Sequence, residues 1–202
     1  MNHIVLYGCH SSSATRRVRI ALKVKQIAYK YIEVNLSENE HLCPEFRQLT
    51  AQQKLPVLLH DQHQITQSLS IIEYLDDICP EYKLLPEDPI AKAWCRSFSA
   101  IFVADYHPLI TRRVIKKLRD SGLPEKEIAQ WKPLWLKESL NIAEIELNKR
   151  SIKHKFCCSN LVGLADICLY AQCESAINQD IYLTDYKEVS KIHQNVMAVV
   201  NN

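Results

Sequence analysis

The sequence predicts a mixed α/β half followed by an all-α half, and three observations predict it. Strand-like segments occur only in the first 80 residues, where they alternate with helical periodicity. Residues 80–89 (PEYKLLPEDP) hold three prolines and read as a linker. Beyond the linker only long helical patterns remain. The expected organisation is therefore residues 1–80, a linker at 81–89 and a helical part at 90–202.

The elements follow in order. Residues 3–8 (HIVLYG) read as a short buried strand. Residues 16–26 (RRVRIALKVKQ) read as a helix, with Val18, Ala21 and Leu22 on one face and Ala14 one turn earlier. Residues 29–35 (YKYIEVN) alternate and are rich in β-formers, so they read as a second strand. Pro44 opens a short helix over 44–49. Residues 56–60 (PVLLH) form a third strand, with Pro56 at its first position, where a missing N–H is tolerated. Asp61-Gln62-His63-Gln64 is the expected turn to a short fourth strand, although it lacks the usual glycine. Residues 67–79 give a helix with Leu69, Ile72, Leu75 and Cys79 along one stripe. The order is βαβαββα. Asp88-Pro89 then starts a helix, with Asp88 as N-cap and Pro89 at the first helical position. Helices are expected over 89–118, 125–149, 163–178 and 185–200, with Pro133 kinking the second or marking a boundary. The stretch Ala165–Ala171 is apolar nearly all round, which places its helix at the centre of the second half.

Composition narrows the function. The 202 residues are 47% hydrophobic and 24% charged, an ordinary globular mixture. Lys plus Arg less Asp plus Glu leaves +2, which gives no electrostatic case for nucleic acid. The three glycines cannot build a Gly-rich phosphate loop. No apolar run approaches a membrane span or a secretory signal, and no His/Cys cluster has zinc-ligand spacing. The expectation is a cytoplasmic protein, without membrane contact or metal, whose eight cysteines stay reduced.

Three local motifs carry a resemblance. Ser12-Ser13-Ala14-Thr15-Arg16-Arg17-Val18-Arg19-Ile20-Ala21-Leu22 is similar to the S-S-C-x-[WH]-R-V-R-I-A-L signature of zeta-class glutathione transferases, the class that includes maleylacetoacetate isomerases. Gln53-Lys54-Leu55-Pro56-Val57-Leu58, followed by Gln67-Ser68, resembles the superfamily's cis-proline segment and its glutathione-binding Gln/Glu-Ser pair. Asp105-Tyr106-His107-Pro108-Leu109 and Gly163-Leu164-Ala165-Asp166 resemble landmarks of the helical half. The resemblance covers nearly the whole chain. It implies a thioredoxin-like N-terminal domain and an all-helical C-terminal domain, the glutathione transferase fold, in a homodimer.

The resemblance also implies roles. Ser12, with Ser13 beside it, would hold the glutathione thiolate at a helix N-terminus. A free thiol has a pKa of about 8.5, and the thiolate is the nucleophile, so the site must favour the anion. Without the resemblance, capping of the helix is the better reading of these serines. Leu55 would pair its backbone with glutathione beside a cis Pro56, where the plain alternative is an edge-strand proline. Gln67 and Ser68 would bind the γ-glutamyl carboxylate, or serve only as a cap. His107 falls near the site, and Asp166 reads as a structural helix-capping acid lacking a side-chain partner at Gly163.

The chain departs from the class at several positions, among them Arg16 at the motif's aromatic or His position and Ile110-Thr111-Arg112 where the family tends to continue with Asn-Asn-Leu. The motif cysteine is Ala14, and the arginine that the resembling isomerases use for a substrate carboxylate falls on Asn178. Arg16, Arg112 and Arg113 are the candidate replacements, against the plain reading of solvated surface cations. Three functions are weighed. The first is a glutathione-dependent transferase or isomerase acting on a small electrophile. The second is a non-catalytic binding module that acts through protein partners. The third is a thiol oxidoreductase built on Cys9, whose Cys9-His10-Ser11-Ser12 run has a C-x-x-S form, although a small buried hydrophobe is the plainer reading. The Cys157-Cys158 pair reads as loop sulfur.

Overall fold

The computed structural model describes residues 4–201. The chain divides into two compact units, Met1–Leu84 and Leu85–Asn202.

The first unit runs β1 (Ile4–Gly8), α1 (Ser13–Val24), β2 (Lys30–Glu33), a 3-10 turn (Glu40–Leu42), α2 (Pro44–Leu49), β3 (Val57–His60), β4 (His63–Thr66) and α3 (Ser68–Ile78). The sheet order is β2-β1-β3-β4. β1 and β2 are parallel, and β3 is antiparallel to both β1 and β4. Along β1, buried Ile4, Leu6 and Gly8 alternate with half-buried Val5 and Tyr7, as the period of a strand requires. Leu6, Val18, Leu22, Leu58, Ile72 and Leu75 are almost fully buried. Phe46 of α2 joins a second cluster with Val34 and Val57.

Several element boundaries differ from expectation: β2, expected over 29–35, covers only Lys30–Glu33, and two further differences have a plain cause. α1 starts three residues early, because the Ser12 hydroxyl accepts the Thr15 N–H and caps the helix there. The β3–β4 turn is only Asp61-Gln62, and His63 already belongs to β4. Asp61 has φ +54, so an aspartate takes the left-handed position where a glycine was missed. Gly8, by contrast, is required: a Cβ there would lie 2.3 Å from Cγ2 of Thr15.

A buried ion pair closes this unit. The Lys25 side chain is wholly buried, and its ammonium donates to Asp76 Oδ1 (3.0 Å), Cys79 O (2.7 Å) and Tyr82 O (2.6 Å). All three donors of the group are thereby used. Asp76 Oδ1 also accepts the Leu84 N–H at 2.8 Å.

The second unit is helical: α4 (Pro89–Ala100), α5 (Arg112–Asp120), α6 (Glu125–Asn148), α7 (Leu164–Ile177) and α8 (Lys187–Asn201). The single helix expected over 89–118 is broken. α4 gives way to a π-helical segment (Ile101–Tyr106) and a 3-10 segment (His107–Ile110) before α5 begins. Pro108 has no N–H to continue an α-helix, and Thr111 is extended. The Pro133 expectation of a boundary also fails, since α6 continues through it. α7 is the central helix, with residues 164–173 all buried, and it packs on α4, α6 and α8. Asp166, fully buried in its first turn, accepts the N–H groups of Gly163 (2.9 Å) and Cys157 (2.7 Å). Burial pushes its carboxyl up to about 6. Glu144 of α6 accepts the Glu188 and Val189 N–H groups at the start of α8. Among the described residues no helix is long and apolar enough to cross a membrane.

Candidate functional site

Strand register gathers the predicted segments of the first unit. Tyr7 pairs with Val57, and Val57 pairs with Thr66. β1 therefore ends, β3 begins and β4 ends at one end of the sheet. Ser12 and Ser13 follow β1, Leu55 and Pro56 precede β3, and Gln67 and Ser68 follow β4. Three stretches far apart in sequence thus leave the sheet together.

Ser12 is the N-cap of α1 and is half-buried. Its oxygen accepts the Thr15 N–H at 3.2 Å, which leaves its own O–H to donate. Capping therefore uses only the oxygen of this hydroxyl, and its proton remains to be donated. Ser13 is the first helical residue, and Arg16 lies half-exposed in the same helix. The first turn of α1 holds no acidic residue, so its dipole is not neutralised from within.

The Leu55–Pro56 peptide bond is cis, as expected. Among the described residues, none hydrogen-bonds the Leu55 main chain. Gln67, at φ +69, is the exposed N-cap of α3, and its amide donates to Gln52 Oε1 at 2.7 Å. Ser68 opens α3 and is buried. Its hydroxyl accepts from Arg17 Nε at 3.1 Å. Neither Arg17 nor Gln52 was picked out from sequence. The signal for Arg17 was present: it lies three residues after Ala14 and next to Val18, inside the apolar stripe of α1.

His10 and Glu33 lie beside the serines. Arg19 donates to His10 Nδ1 at 2.7 Å, which leaves the ring proton on Nε2 facing Glu33 at 3.5 Å. Burial nudges the Glu33 carboxyl up, but hydrogen bonds from the Tyr31 hydroxyl and the His10 N–H more than reverse this, and it stays below its ordinary range. Cys9 is buried, with Sγ 3.1 Å from Ser11 Oγ.

The remaining predicted residues belong to the second unit. His107 opens the 3-10 segment and is half-buried, Arg112 opens α5 and is exposed, and Asn178 is the exposed C-cap of α7. Cys157 and Cys158 turn to different partners. Cys157 is sealed beside Asp166, whereas Cys158 shares a hydrogen bond with Cys95. The Cys158 contact, followed by burial, pushes the Cys95 thiol up, and burial above all pushes Cys157 up. Among the described residues no group of side chains could hold a metal ion.

This geometry has known counterparts. Residues 6–83 match the family model described as glutathione S-transferase, N-terminal domain. A probable maleylacetoacetate isomerase of Vibrio cholerae is 32% identical over 202 residues, covering 98% of this chain and 93% of its own. A maleylpyruvate isomerase of Ralstonia is 34% identical over 182 residues, covering 90% and 86%. Among solved structures, a maleylacetoacetate isomerase from Methylobacterium extorquens with bound malonate and glutathione superposes with a TM-score of 0.93 at 31% identity, covering 98% and 94%. A holo maleylpyruvate isomerase, described as a bacterial glutathione S-transferase of the zeta class, gives 0.91 at 30%, covering 96% and 95%. The chain belongs to the glutathione transferase superfamily. Within it, the chain is of the zeta class, the maleylacetoacetate isomerase-like branch.

Proposed function

We propose that this chain is a glutathione-dependent enzyme of zeta type that adds the glutathione thiolate to a small electrophile. The observation that carries the reading is the shared sheet end, where Ser12, Leu55, Gln67 and Ser68 converge. Glutathione is the cosubstrate. The Ser12 hydroxyl, with Ser13 beside it, donates to the sulfur at the unneutralised start of α1 and holds the anion. The Leu55 main chain, next to Pro56, takes the cysteinyl backbone as a strand takes a neighbour. Gln67 and Ser68 take the γ-glutamyl carboxylate at the start of α3.

The thiolate either displaces a leaving group or adds to a cis double bond, allows rotation about the resulting single bond, and leaves again. Maleylacetoacetate and maleylpyruvate isomerases among the relatives support the second route. In this chain Ala14 and Asn178 stand where the resembling isomerases carry a cysteine and an arginine. Arg16 of the first unit, or Arg112 or Arg113 of the second, is the cation assigned to an acidic substrate in their place. The working form is a cytoplasmic homodimer.

The test is ultraviolet titration of the bound thiol across pH. The wild type ionises bound glutathione below neutral pH, and Ser12→Ala returns the value to near 8.5. A bound thiol that titrates at its free value in the wild type overturns the catalytic reading and leaves a binding module. Loss of glutathione–disulfide exchange in Cys9→Ser but not Ser12→Ala would transfer the chemistry to Cys9.

A further inference from the structure

Arg17 is, beside Lys25, a buried cation of the first unit. It is charged, 1% exposed, and held in the apolar stripe of α1. Burying a guanidinium is expensive unless its donors are used. One is used on Ser68: Arg17 Nε donates to Ser68 Oγ at 3.1 Å, across 51 residues of sequence.

That bond has a directional consequence. Arginine only donates, so the Ser68 oxygen must accept. Its own proton then points to some other acceptor. Among the described residues, Arg17 is the one partner of the Ser68 side chain. Ser68 is itself buried, and a buried hydroxyl with an unused donor calls for an acceptor. It also opens α3, whose first turn carries no acidic residue to serve as that acceptor.

We propose that Arg17 is a positioning residue for glutathione: it fixes the Ser68 hydroxyl as a donor, polarised by the guanidinium, toward the γ-glutamyl carboxylate. This rests on the reading of Ser68 given above. Arg17 touches no ligand in this scheme. It acts through Ser68, so its effect falls on the α-carboxylate of the γ-glutamyl unit and on no other part of glutathione.

The experiment uses the full chain and two ligands, glutathione and 4-aminobutyryl-cysteinyl-glycine, which is glutathione without that α-carboxylate. Affinities are read by calorimetry. Arg17→Met weakens glutathione about tenfold, as expected for one charge-assisted hydrogen bond, and weakens the analogue less than about twofold. Arg17→Lys recovers part of the loss. Arg17 is a core side chain, so a second readout avoids mutation: in the wild type, the Arg17 Nε–H resonance shifts when glutathione is added and stays in place with the analogue. Equal losses for both ligands in Arg17→Met, or an Arg17 resonance that ignores glutathione or answers both ligands alike, overturn the assignment and leave Arg17 a packing residue. A wild type that binds no glutathione at all overturns the site reading together with this one, so the two failures are distinguishable.

Discussion

Asp166 is a carboxyl with no exposed surface, and two backbone N–H groups keep it in place. Burial nevertheless wins, holding its pKa near 6 against an ordinary 3.8. The folded state therefore binds this proton more tightly than the unfolded chain does. Its contribution to stability is complete below about pH 4 and is lost as pH rises through about 6, a change on the order of 3 kcal/mol. Asp166→Asn should flatten that slope in urea unfolding measured from pH 4 to pH 7. It should also lose about 1 kcal/mol throughout, because the amide accepts fewer hydrogen bonds. An unchanged slope would place the titrating group elsewhere. Asp166 was legible as a capping acid because its spacing from Gly163 is local. Arg17 was not, because its partner Ser68 is reached only once α1 and α3 are packed.

At the scale of elements, α1 and β1 are fitted to one another at Gly8. A methyl group there meets the Thr15 methyl at 2.3 Å, and Thr15 cannot simply turn away, since its Oγ1 accepts the Cys9 N–H. Gly8→Ala should lose about 2 kcal/mol by overpacking. Adding Thr15→Ser removes the clashing methyl but keeps the hydroxyl, and should restore most of the loss in a double-mutant unfolding cycle. Equal destabilisation in the single and double variants would assign the loss to the backbone instead. Elements with strong periodicity were legible: α3, α6, α7 and α8 fall within about two residues of expectation. The break after α4 was not, because the apolar spacing carries on across it. Pro108 was the signal, and its effect on the preceding turn outweighs the spacing. The π-helical turn Ile101–Tyr106 leads directly into His107.

For the whole molecule, the division into a strand-bearing unit and a helical one was legible from where alternation stops. The convergence of Ser12, Leu55 and Gln67 at one sheet end was not a property of spacing. It depends on strand register, and the motif resemblance stood in for it. The two units were also legible as thiol-bearing rather than cross-linked: all eight cysteines are free, and Cys95 and Cys157 are held protonated by their surroundings. The Lys25–Asp76 pair bears on how the first unit ends. Its ammonium holds the Cys79 and Tyr82 carbonyls and its carboxylate holds the Leu84 amide, so the chain is fastened up to the boundary itself. Lys83, though exposed, sits inside this fastened stretch. A protease must draw several residues out as an extended strand before it can cut. Trypsin should therefore spare the Lys83 bond in the native protein while cutting at freer surface lysines. Lys25→Met, which takes the ammonium from Asp76 and from the Cys79 and Tyr82 carbonyls, should weaken the unit by about 3 kcal/mol. It should also turn Lys83 into an early nick, read as a new fragment boundary by mass spectrometry. If that bond is cut equally fast in both proteins, the fastening does not govern access, and the end of this unit breathes independently of its core.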